Sequence, residues 1–140
     1  MSRYALVCIA AAAGLLAALA HANEPLWTDA QRAERSTAVL VGTVQSIERA
    51  GELNERQDLY RAVVTIENVN KGDAALGREG EQIALYFEHP KDGSVSKRCP
   101  GYVSLESDQR RTFFIRLRKV NQEWRAFLEM GSDVREVETK

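Results

Sequence analysis

Few residues beyond the apolar N-terminus combine the types and spacing that chemistry requires. Cys99 lies between Arg98 and Pro100, with Lys97 one step further back. Neighbouring cations stabilise a thiolate and lower its pKa when the segment is exposed, which makes Cys99 and Arg98 candidate redox or interaction residues. The opposing reading makes Cys99 a small buried hydrophobe that anchors its loop. His89 and Tyr102 sit in the same irregular stretch and join the candidates. His89 and Cys99 stand alone, with no closely spaced ligand pair, so neither a metal nor another cofactor is expected. Ser94-Val95-Ser96-Lys97 has the Ser-x-x-Lys spacing of penicillin-recognising enzymes, but the accompanying Ser-Asp-Asn and Lys-Thr-Gly segments are missing. There is no Gly-x-Ser-x-Gly turn, and His89 would be the one base available to a triad. Nothing in these patterns asks for an enzyme.

A second group of candidates lies on strand-like segments: Tyr60, Arg61 and Tyr86, with Arg116 and Arg118 nearby in the pattern. Aromatics interleaved with cations suit single-stranded nucleic acid. Here Glu67, Glu81 and Glu88 share the same strands, and the chain carries 19 basic against 20 acidic residues. No field gathers phosphates, so nucleic acid is not an expected partner. Tyr60, Arg61 and Tyr86 are instead read as a face for a protein or envelope component.

The elements that must position these residues begin after an export signal. Arg3 supplies a short positive start, Ala5 to Leu19 is uncharged and apolar, and Ala20-His21-Ala22 fits signal-peptidase cleavage. The apolar run is shorter than the roughly 20 residues a spanning helix needs. Residues 1–22 are therefore expected to be removed, leaving no membrane attachment and a periplasmic or secreted chain. Residues 23–140 then form one domain, with Cys99 as the one remaining thiol. The product is either a monomer or a Cys99-linked dimer.

Thr28 and Gln31 have capping-box spacing, which predicts a two-turn helix with Ala30 and Ala33 packed inward and Trp27 as a core plug. Thr37 to Glu48 reads as a long bent strand. Val39 and Val41 share one face, Val44 takes the other and Ile47 returns to the first, with Gly42 at the break. Arg49 to Asp58 is a polar connection, and Leu59 to Val69 is a second strand. Gln82 to Phe87 is a third, with Ile83, Leu85 and Phe87 inward. Glu88 to Arg111 is an irregular loop, in which Val103 and Leu105 form a short strand or helical turn. Thr112 to Arg118 and Glu123 to Met130 are the last two strands, hinged at Asn121, and 131–140 is a polar tail. Phe114 and Phe127 fall outward, either as a partner patch or beneath the helix. The expected class is all-β with small α content: a five-stranded Greek-key OB-like barrel with a short N-terminal helix.

Ser36 to Val44, then Tyr60 to Gly72, then a cysteine-containing segment before an aromatic strand, resemble exported netrin-module proteins. That resemblance implies the OB-like barrel of the tissue inhibitors of metalloproteinases. Those inhibitors hold zinc through an N-terminal cysteine, whereas cleavage here leaves Asn23 first, so inhibition is disfavoured and no inhibitory residue is carried over. The expectation is an exported, non-enzymatic binding module acting through the barrel face and the 88–111 loop. The alternative is a thiol-dependent protein that uses Cys99 for mixed disulfides or covalent dimerisation.

Overall fold

The computed structural model describes residues 27–72, 76–91 and 101–138. The expected export signal and the residues Cys99 and Arg98 lie outside these. Helix α1 (Asp29–Arg35) is followed by β1 (Ala38–Glu52), β2 (Gln57–Lys71), β3 (Gln82–Pro90), β4 (Arg110–Val120) and β5 (Glu123–Leu128). A 3-10 turn (Gly131–Asp133) leads into a short β6 (Val134–Glu136). The chain is mostly β, as its alternating apolar pattern predicts.

β1 pairs antiparallel with β2 along its whole length and with β4 through Ala38 to Thr43. β2 pairs with β3, β3 meets β5 in parallel at two residues, and β5 returns to β4. Five strands thus close into a ring, and β6 lies beside the start of β4. Two core clusters follow from strand parity. Leu40, Val44, Ala62, Val64, Ile66, Leu85, Phe113, Ile115 and Leu128 are among those that fill the ring. Leu59, Tyr86, Val120 and Phe127 form a smaller cluster on the opposite face. Phe127 is completely buried there, not an exposed patch.

The phase change in β1 falls later than expected. Val44 pairs with Val64 and Ser46 with Val63, so Gln45 is the extra residue of a bulge. Ile47 consequently packs with Val44 inside the ring instead of with Val39 and Val41. The register also shifts at Gly42, but there the extra residue is Glu67 of β2. Gly42 has a separate reason to be glycine. A Cβ would lie 2.5 Å from the Thr65 carbonyl oxygen and 2.5 Å from Val64 Cγ1.

The strands run further than apolar alternation alone marks. The polar segment 49–58 is mostly strand, with a tight turn at 53–56 that Asn54 organises by accepting from the Arg56 and Gln57 amides. β3 continues through Glu88, His89 and Pro90, because their partners Gln57 to Leu59 continue on β2. His89 is therefore a strand residue and not a loop histidine. Val103 is buried in the core cluster without belonging to a strand or a helix. β4 extends to Val120, and Asn121 and Gln122, both at positive φ, make the two-residue hairpin turn into β5. β5 ends at Leu128, and Trp124 on it is 67% exposed instead of facing the core.

The capping box forms as its spacing predicts. Thr28 Oγ1 accepts from the Gln31 amide, and Gln31 Oε1 accepts from the Thr28 amide. Lys71 Nζ donates to the carbonyls of Ala33 and Glu34, closing the negative end of the helix. Seven residues are too few to hold a helix by local bonds, so tertiary contacts must do it. The side chain that supplies them is Arg32; Ala30 is exposed and Ala33 half-buried. Trp27 is half-buried among the guanidinium groups of Arg32, Arg35 and Arg116, and is not a core plug.

Arg32 Nη1 donates to Asp133 Oδ1 at 2.9 Å, and both side chains are almost fully buried. The second carboxylate oxygen accepts from the amides of Glu129 and Met130. One acidic residue thus ties α1 to the excursion between β5 and β6, within what reads in sequence as a polar tail. Asp133→Ala strands the Arg32 charge and two amides at once and is expected to cost about 3–5 kcal/mol in chemical denaturation. Gly42→Ala must push β1 from β2 and is expected to cost about 1–3 kcal/mol in the same assay.

Candidate functional site

Three of the sequence candidates meet at one end of the ring. Tyr60 on β2 stands opposite Phe87 on β3, and the two rings stack with centroids 5.9 Å apart and planes 26° from parallel. His89, two residues further along the same inward side of β3, lies 5.3 Å from Tyr60 across a tilted contact. Tyr102, arriving from the loop, lies 6.4 Å from His89. The sequence Phe87, Tyr60, His89, Tyr102 is therefore a continuous run of rings. Tilted and offset contacts of this kind suit the charge distribution of π faces.

Polar contacts fix the last two rings of the run. Gln57 Nε2 donates weakly to the Tyr102 hydroxyl at 3.4 Å. His89 Nδ1 lies 2.9 Å from the Pro90 carbonyl oxygen. A carbonyl oxygen can only accept, so Nδ1 is the donor in this contact. Two ion pairs adjoin the site: Arg49 with Asp58 at 3.0 Å within the β1–β2 hairpin, and Lys91, just past β3, with Glu52 of that hairpin at 3.0 Å. The hydrogen bond from Arg49 is the main reason the Asp58 carboxyl titrates below its ordinary range. The same bond raises the Arg49 guanidinium.

Beside the rings is a half-open cavity of about 140 Å³, lined by Ile47, Tyr60, Phe87, His89, Val103, Ser104 and Leu105. Its size suits a single side chain, and its lining residues are chiefly aliphatic and aromatic by type, yet the surface they expose to it is more polar than apolar. Phe87, Val103 and Leu105 were legible as inward or loop apolar residues, but not as neighbours of His89, and Ile47 was expected on the other face of β1. The signal for His89 was its parity, since Ile83, Leu85, Phe87 and His89 alternate without interruption.

Arg61 and Tyr86 do not join this site. They lie on the opposite side of β2 and β3, where Arg61 pairs with Glu48 and the Tyr86 hydroxyl accepts from Arg125 at 3.1 Å. Arg116 packs on Trp27, while Arg118 packs on the Phe127 ring and pairs with Glu88. A larger groove of about 490 Å³ runs between α1, β6 and the outer sheet face. Phe114 lines it, none of the described histidine, tyrosine or arginine candidates does, and Asp29 and Arg135 pair with each other across it. Among the described residues no group of three acidic, histidine or cysteine side chains is placed to hold a metal ion. No family model matches the chain, and no curated protein matches it either.

The low carboxyl pKa carries a pH signature. Its stabilising contribution is present above the ordinary aspartate range and is lost as pH falls through the lowered value. Arg49→Gln is therefore expected to be less stable than the parent at pH 7, and the difference should shrink as the pH drops below about 4. Urea denaturation across pH 3–7 reads this directly. A difference that grows in acid would contradict the assignment.

Proposed function

We propose that this chain is an exported, non-enzymatic binding module that receives a side chain of a protein or envelope partner at the aromatic end of its ring. The observation that carries the reading is a side-chain-sized cavity lined by Tyr60 and His89, with the Tyr102 ring against His89 beside it. Export rests on the charge and hydropathy of residues 1–22, which fit a cleaved signal. The strand ring, with its parallel β3–β5 contact and its hairpins, supports an OB-type Greek-key barrel of the netrin-module kind. Loops and strand ends carried on such scaffolds are where binding residues concentrate.

The competing proposal, a thiol function for Cys99, makes a separable prediction. A photo-crosslinking residue placed at Leu105 in the exported chain should capture one discrete partner from the envelope fraction. The same residue placed at exposed Glu79 should not. Tyr102→Ala should reduce that capture at least about tenfold, as loss of one aromatic anchor does at a small interface. Cys99→Ser should leave capture intact. Capture that survives Tyr102→Ala but disappears with Cys99→Ser would move the function to the thiol.

A further inference from the structure

The ring is least complete along β5. One edge of β5 pairs with β4 from Glu123 to Phe127, but the other meets β3 only at Phe127 and Leu128. Among the described residues, Glu123 to Ala126 have no strand partner on that second edge. Open edges are usually blunted, because unpaired N–H and C=O groups template pairing with another chain. Here the edge carries the largest exposed apolar side chain of the described residues. Trp124 is 67% exposed, and Leu117, which pairs with Ala126 on the adjoining strand, is 43% exposed on the same face. A two-residue turn at Asn121 and Gln122 holds this hairpin in register.

The order Glu123-Trp124-Arg125 is its own complement. When two copies of β5 align antiparallel with Trp124 at the centre, Glu123 of each faces Arg125 of the other. The two indoles then meet on one side, and two ion pairs form on the other. Cross-strand aromatic and opposite-charge pairs both stabilise antiparallel sheets, whereas like charges placed opposite one another destabilise them. In the single chain Arg125 already reaches Glu123 at 2.5 Å and the Tyr86 hydroxyl. Arg125 is half-buried over the Tyr86 ring while Glu123 is exposed, so the partner's Glu123 can take the place of the chain's own with Arg125 left where it is. We propose that β5 is the contact by which two copies of this chain form a two-fold dimer, joining their sheets edge to edge. Such an interface is isologous: the same patch serves both partners.

Charge swaps test this more sharply than deletions do. Sedimentation velocity of the full exported chain, with reductant present to exclude any Cys99 link, should show a dimer. E123R and R125E each place like charges opposite one another twice by symmetry, and each should weaken the dimer about tenfold or more. An equimolar mixture of the two variants should dimerise again, because each then brings the sign the other lacks. The internal pair cannot be repaired by mixing, so that rescue assigns the contact to the interface. Circular dichroism confirms folding, and Trp124→Lys gives a second break should one swap fail to fold. Three results would overturn the proposal: a monomeric parent at the highest soluble concentration, variants that dimerise like the parent, or a mixture that stays monomeric.

Discussion

Everything in this molecule depends on β1 being hydrogen-bonded along both edges. A strand that pairs with β2 on one side and β4 on the other closes the sheet into a ring, and only a bent strand can do so. The bulge at Gln45 lets the inward set change from Leu40 and Val44 to Ile47 without leaving the core. Gly42 lets the backbones of β1 and β2 approach where a Cβ would collide with Thr65. Past the bulge, Ile47 arrives beside Tyr60 and Phe87, so the bend also supplies one wall of the candidate site.

The outer layer is held differently. Its helix is short, and its anchor is charged: Arg32 buried against Asp133, with Phe114 and Trp27 near the guanidinium. A buried ion pair is not a large source of net stability, because desolvation opposes the attraction. What it does supply is position. Asp133 satisfies two amides where the chain leaves β5 for β6, so α1, the β5–β6 excursion and the sheet face are set by one carboxylate. This staple lies on the outer layer and takes no part in lining the aromatic cavity.

Much of this was legible in sequence where a local pattern and the tertiary structure agree. Period-two alternation located β2, β3 and β4, and Thr28 with Gln31 located the helix start. What was not legible required partners far away in the chain. Asp133 reads as one more acid in a polar tail, since Arg32 lies 101 residues before it. Arg32 itself sits between alanines that were expected to pack, and the longer side chain is the one that reaches the interior. The polar ends of β1, β2 and β3 are strands because their neighbours are strands, and no apolar period marks them. His89 was chosen as a candidate for its chemistry, and Pro90 beside it obscured the parity that places it next to Tyr60.

The aromatic end of the ring, and not the larger groove by α1, is the proposed acceptor of a partner's side chain. Amide-resolved NMR of the isolated chain, titrated with small side-chain mimics such as N-acetyl-leucinamide and p-cresol, tests that without knowledge of the partner. Saturable shifts centred on Ile47, Tyr60, His89 and Leu105 are the predicted result. Shifts centred on Val41, Thr112 and Val137 in the larger groove, or none that saturate, would contradict it.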